Sequence, residues 1–153
     1  LVKSGRAEDA LITYRAAATA GEQALALATD PEPLGVLVSK VYFNYARALV
    51  AADNEPAAVD VALTRRDLWT GNGPRLYSVA IELAQLSSAA KSEPVQHAAV
   101  EIIKQALAAG FTPATDMATD PRLASLRTHP DFLDLASTAS RSNRPLQSAN
   151  LQR

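Results

Sequence analysis

The stretch SEPVQHAAVEIIKQALAAG, Ser92–Gly110, decides the fold class. Its apolar and small residues fall at Val95, Ala98, Ala99, Ile102, Ile103, Ala106 and Leu107. Steps of three and four keep them on one side of an α-helix. Ser92 is an N-cap, and Pro94 sits in the first turn, where the missing N–H costs nothing. Gly110 ends the helix at the position where left-handed backbone is usual. A strand would alternate every second residue, and no segment of the chain sustains that pattern. The chain is therefore predicted to be all-α.

Upstream, the same spacing recurs. Ala7, Ala10, Leu11, Tyr14, Ala17, Ala18, Gly21, Ala24, Leu25 and Ala28 predict a first helix, which Asp30-Pro31 stops. Leu34, Leu37, Val38, Val41, Tyr45, Ala48, Leu49 and Ala52 predict the face of a second. ADNEP, Ala52–Pro56, is a turn, and a third helix runs from it to about Trp69. TGNGP, Thr70–Pro74, breaks the chain again. Leu76, Val79, Ala80, Leu83 and Leu86 mark a fourth helix, ending near Lys91. Short connections between sequential helices imply antiparallel neighbours.

Downstream the text changes. GFTPATDMATDPRLASLRTHPDFLDLA, Gly110–Ala136, carries Pro113, Pro121 and Pro130, each followed by a short apolar cluster. Asp120-Pro121 reads as N-cap plus first-turn proline, and Thr128-His129-Pro130-Asp131 as another helix start. A stack of helix pairs leaves its last apolar face bare. Phe111, Met117, Leu123, Leu126, Phe132 and Leu135 supply the anchors to cover it. The segment is read as a C-terminal cap of short helices. The expected organisation is one helical domain over 1–140, with degenerate repeats in 5–69, a helix pair in 74–110 and the cap in 111–140. A polar tail at 141–153 is expected to be mobile.

The chain has 153 residues, enough for one domain with a core, and a formal net charge of −1. That charge argues against a nucleic-acid partner, which needs clustered Lys and Arg. No cysteine is present, which removes disulfides, thiolate metal sites and cysteine nucleophiles. No apolar run reaches membrane-spanning length, and no signal peptide is visible. The first residue is Leu1, inside a running helical pattern, so the sequence reads as part of a longer protein. A cytoplasmic setting is expected.

SGRAEDALITYRAA, Ser4–Ala17, resembles the second helix of a tetratricopeptide repeat, with Gly5 closing the inter-helix turn and Ala10, Tyr14 and Ala17 at the packing positions. Tyr42, Tyr45, Ala46 and Leu49 resemble the first-helix set of a second copy, and Ala58 with Ala62 the second-helix set. Asp53 stands where that copy's turn glycine would be. Further on, LTRRDLW, RLYSVAIELAQLSSA, IIKQALAAGF and DMATDPRLASLRTHPDFLDLAS resemble the C-terminal end of large bacterial serine/threonine kinases of the planctomycete type. The resemblance implies a right-handed superhelical stack of antiparallel helix pairs with a cap. It also implies a regulatory region following a kinase domain.

Chemistry is sparse. His97 and His129 lack metal-binding spacing and are read as having separate surface or cap roles. Asp116, Asp120, Asp131 and Asp134 lack the spacing and glycine of a calcium loop and are read as helix starts and solvated positions. GNG at Gly71–Gly73 is a turn, since no Lys-Ser/Thr follows it. Kinase signatures are absent from this stretch, so it is read as non-enzymatic, with no cofactor and no metal. Trp69 is expected to pack under the glycine turn.

One stripe points outward. Lys40, Asn44 and Arg47 share a narrow arc of the second helix with Phe43 beside them, opposite Val41, Tyr45 and Ala48. First helices of tetratricopeptide repeats line a concave groove. A groove carrying Lys40, Phe43, Asn44 and Arg47 suits an acidic peptide or a C-terminal carboxylate. The alternative is an ordinary solvated face. The expected function is protein–protein interaction or scaffolding. A structural spacer or self-association domain is the alternative, and a helical domain with a small-molecule or hydrolytic pocket is a minor one.

Overall fold

The computed structural model of the chain describes residues 2–90 and 92–142. Its helices are α1 (Val2–Leu27), α2 (Pro31–Ala51), α3 (Glu55–Asp67), α4 (Gly73–Ala90), α5 (Glu93–Ala108) and α6 (Pro130–Ser142). A 3-10 turn, Pro121–Leu126, precedes α6. No strand occurs among the described residues, so the chain is all-α there.

The starts and stops follow local chemistry. The side chains of Asp30, Asn54 and Ser92 accept hydrogen bonds from the backbone N–H groups of Glu32, Ala57 and Val95, and proline sits in the first turn of each helix. Asp30-Pro31 thus opens α2 as well as closing the pattern of α1. Gly71 and Gly110 adopt positive φ, 77° and 82°. Asp53 does so too, at 55°, a backbone conformation that falls most easily to glycine.

Three sequence expectations need correction. Gly5 lies inside α1, so no turn forms there. One glycine costs a helix only about 1 kcal/mol relative to alanine, and the alanine-rich neighbours outweigh it. Ala7, Ala17 and Ala24 are exposed. The contact face of α1 is the narrower row of Leu11, Tyr14, Ala18, Gly21 and Leu25, because α1 packs chiefly on α2 alone. A Cβ at Gly21 would lie 2.7 Å from Val38 Cγ2, so the bare backbone sets that approach. On α2, Leu37 is exposed while Val41 and Ala48 are only half-buried. The buried face is Gly35, Val38, Ser39, Tyr42, Tyr45, Ala46 and Leu49, rotated toward α1 on one side and α3 on the other.

The α1–α2 seam also carries polar clips. The Tyr42 hydroxyl donates to the Glu22 carboxylate, and Arg15 Nε donates to the Tyr45 hydroxyl at 3.2 Å. Tyr14 stacks on Tyr45 with ring centres 6.3 Å apart.

The main core lies between α4, α5 and the cap, with Ala62 and Trp69 joining from the α3 side. Val95, Ala98, Ala99, Ile102, Ile103 and Ala106 are buried as their spacing predicts, and Val100 is buried with them. Gly73 admits the cap chain closely: a Cβ there would meet Phe111 Cβ at 2.7 Å and the Ala106 carbonyl oxygen at 3.0 Å.

Met117, Leu123, Leu126 and Phe132 are fully buried in this core, and Phe111 and Leu135 pack at its edge. The 3-10 turn lies on α4, where the Ser125 hydroxyl donates to the Ala84 carbonyl at 2.6 Å. Lys104 of α5 pairs with Asp131 in the first turn of α6 at 3.0 Å. α6 is a full helix that includes Arg141 and Ser142, the first two residues of the segment that the sequence assigns to the tail. Residues 143–153 lie outside the described residues.

Asp120 fixes the cap at its centre. The carboxylate is almost fully buried and accepts from the backbone N–H of Arg122 at 2.9 Å and from its Nη2 at 2.7 Å. The hydrogen bonds from Arg122 outweigh burial and hold the Asp120 carboxyl below the usual carboxylate range. Stability drawn from this pair is present above the ordinary Asp value of about 3.9 and lost as pH falls below it toward the depressed value. Asp120→Asn keeps a capping oxygen but removes the charge. It is expected to lower stability by about 1–2 kcal/mol at pH 7. The gap between variant and parent should close in acid, below the ordinary Asp value. Urea melts between about pH 7 and about pH 3 measure it. A gap independent of pH would mean that the charge contributes nothing.

Candidate functional site

Two rows of side chains face each other across the gap between α2 and α4. The first runs along α2 as Val36, Ser39, Lys40, Phe43 and Arg47; the second runs along α4 as Arg75, Ser78, Val79, Glu82 and Leu86. Both rows follow helical steps of three and four, so each presents one continuous edge. α3 closes the floor of one part with Arg65, followed by Trp69 just beyond its end.

Two adjoining clefts result. The first, about 400 Å³, is lined by Ser39, Lys40, Phe43, Arg65, Trp69, Arg75, Ser78 and Glu82, among others. The second, about 500 Å³, is lined by Tyr14, Asn44, Arg47, Ala48, Asp53, Glu55 and Leu86, among others. The predicted stripe is therefore divided. Lys40 and Phe43 belong to the first cleft, Asn44 and Arg47 to the second. Lys40 and Arg47 are exposed, and Phe43 and Asn44 are half-buried. The Asn44 side-chain amide donates to the Lys40 carbonyl at 3.2 Å, which ties it to its own helix.

The first cleft is built on Arg65. This residue is 7% exposed. Its Nε donates to the Ser39 hydroxyl at 2.8 Å, and the Trp69 indole N–H donates to the same oxygen at 3.1 Å. The guanidinium carbon lies 5.4 Å from the centre of the Phe43 ring, and that of Arg47 lies 5.7 Å from it. Arg75 covers the Trp69 ring at 5.0 Å. Such cation–ring contacts orient the guanidinium groups as well as attract them. Glu82 pairs with Arg65 Nη2. Burial pulls Arg65 below the ordinary guanidinium value, and the attraction of Glu82 opposes that pull.

Charge divides between the clefts. The first holds Lys40, Arg65 and Arg75 against Glu82, whereas the second holds Arg47 against Asp53 and Glu55. Among the described ion pairs, none involves Lys40 or Arg75. The first cleft is thus the anion-attracting part, with aromatic walls and hydroxyls at hand.

Arg65, Arg75 and Glu82 were not singled out from sequence. Arg65 did carry a signal: it continues the buried row of Ala58 and Ala62 at helical spacing, and a charge on such a row needs a partner. Glu82 had no comparable mark, because the partner is 17 residues away in the chain, counting from Arg65 to Glu82. Trp69 is buried, but its ring lies against Gly35 of α2, not under the Gly71–Gly73 turn as its position in the sequence predicts, and it presents its N–H to Ser39.

The two histidines are not separate. His97 of α5 and His129 before α6 have ring centres 5.6 Å apart, because the cap folds back along α5. His129 Nδ1 is closed off from solvent without a hydrogen-bond partner. Among the described residues, no group of three or more acidic, His or Cys side chains is arranged to hold a metal ion. No helix among them is long and apolar enough to cross a membrane. In comparisons with protein-family models, curated proteins and solved structures, the chain gave no match.

Proposed function

We propose that this chain is a protein–protein interaction module that docks an acidic peptide segment along the α2–α4 groove. The observation that carries the reading is the first cleft, where Lys40 and Arg75 stand at the rim without carboxylate partners above an aromatic wall. Cations held on ring faces are poised for a carboxylate, and a groove between two helix edges admits an extended chain. The packing of the helices supports a tetratricopeptide-like stack. α2 lies on α4 and α3 on α5, so first helix meets first and second meets second. Tyr42, Tyr45, Ala46, Leu49, Ala58 and Ala62 are buried at the positions where such a repeat packs. The sequence resemblance adds the setting: the regulatory C-terminal region of a larger bacterial signalling protein, such as a serine/threonine kinase.

The test is fluorescence anisotropy with a labelled hexaglutamate peptide at low and high salt. Lys40→Glu combined with Arg75→Glu is expected to abolish binding while the thermal midpoint stays close to that of the parent. Arg47→Glu, in the other cleft, is expected to weaken binding less. Salt should also reduce affinity, since the charges are near the surface. Unchanged affinity in the double variant would refute the reading.

A self-association role has one observation in its favour. Leu27, Val36 and Leu37 are exposed at the end of α1 and the start of α2, with Ile12 exposed further back on α1. Sedimentation of the parent and of a Leu27→Ser, Leu37→Ser variant tests it. A monomer at all concentrations in both would end this alternative.

A further inference from the structure

Arg65 and Glu82 are held very differently, and the difference has a use. Arg65 is fixed from several sides: Ser39 accepts its Nε–H at 2.8 Å, the Phe43 ring lies under the guanidinium at 5.4 Å, and only 9% of its side chain is exposed. Glu82 has 36% of its side chain exposed. Its Oε2 is closed off from solvent and meets Arg65 as its one charged partner. Removing Glu82 would leave Arg65 in place, but removing Arg65 would leave Glu82 with nothing to hold it in the cleft.

We propose that Glu82 is a built-in occupant of an anion site formed by Arg65, Lys40 and Arg75, and that a carboxylate of the docked partner displaces it. The inference rests on the acidic-peptide reading above. The group that already lies on Arg65 is a carboxylate, which shows the chemistry that this site accepts. Exchange of one carboxylate for another leaves the buried guanidinium compensated throughout, so the large cost of an unpaired buried charge never arises. Glu82 turns outward through the side it already exposes and regains hydration. The incoming carboxylate gains Lys40 and Arg75, both without ion-pair partners in the described structure. The free protein thereby keeps its site closed to weak or singly charged anions, and a partner must present enough negative charge to win the exchange.

The experiment measures hexaglutamate binding by the full chain and by variants, with thermal melts alongside. Glu82→Gln is expected to melt lower than the parent without peptide, because Arg65 loses its counter-charge. The same variant should bind the peptide at least about tenfold more tightly, since like charges set against each other in an interface are strongly unfavourable. Glu55→Gln, which removes a carboxylate from the neighbouring cleft, should change affinity far less. Glu82→Asp keeps the charge and withdraws the carboxylate by one methylene from Arg65. It should also bind more tightly than the parent, and it serves if Glu82→Gln fails to fold. Equal affinity in parent, Glu82→Gln and Glu82→Asp would overturn the displacement. So would equal gains in Glu82→Gln and Glu55→Gln, which would reduce the effect to net charge. If the Lys40→Glu, Arg75→Glu variant loses binding while the Glu82 variants match the parent, the docking function stands and the displacement alone falls.

Discussion

Phe132→Ala is expected to lower the stability of the chain by about 3–5 kcal/mol, the usual cost of truncating a phenylalanine in a packed site. Phe132 is fully buried in the core shared by α4, α5 and the cap. It stands in the first turn of α6, just after Pro130, with its backbone N–H bonded to the His129 carbonyl at 3.1 Å. That turn is pinned by the cap geometry, so the cavity cannot close by a simple slide of the helix. A domain of this size has only about 5–15 kcal/mol in total, so a large part of it would go. Leu133→Ala is the matching control. Leu133 follows Phe132 directly but is 51% exposed, and its loss should cost little. Urea denaturation of both variants measures the difference. A Phe132→Ala protein as stable as the Leu133→Ala protein would mean that the cap does not complete the core.

Removing everything from Phe111 onward is expected to have a still larger effect. Met117, Leu123, Leu126 and Phe132 leave the core together. Full burial of such side chains is worth roughly 1.5–3 kcal/mol each, so their sum rivals the stability of the whole domain. The faces of α4 and α5 that they cover include Val79, Leu83, Val100 and Ile103, all buried in the intact chain. Stripped of the cap, those faces should bind a hydrophobic dye and drive aggregation, and the cooperative thermal transition should disappear. A truncated chain that melts like the parent would reduce the cap to a tethered appendage.

Much of the helical framework was legible one residue at a time, because its determinants are local. Ser92, Pro94 and Gly110 bound α5, and Asp120-Pro121 opens the 3-10 turn, through hydrogen bonds and φ preferences that span at most a few residues. Asp53 takes the left-handed turn expected of a glycine. The apolar row of α5 needed no partner to be recognised. The cap anchors were equally plain, since large apolar residues in a polar, proline-broken segment have to insert somewhere.

What tertiary structure decided is where each face points and which distant residues meet. Gly5 shows propensity losing to its neighbours: a glycine that reads as a turn becomes part of a continuous α1. On α2, period alone could not choose between Val41 with Ala48 and Tyr42 with Ala46 as the inward face, because the helix has neighbours on two sides and its apolar arc is wide. The candidate site depended on this most. Lys40 and Phe43 share one helix, and spacing alone places them together. Arg65, Arg75 and Glu82 join them only because α3 and α4 pack against α2, and no local rule relates the charge of one helix to the charge of the next. His97 and His129 meet for the same reason, through the return of the cap along α5. Sequence by itself determined most of the elements and the ends marked by caps, prolines and Gly110, which are short-range matters of capping and periodicity. Packing decided the groove, its charge and the pairing of Arg65 with Glu82, because burial selects among faces that the sequence leaves equivalent.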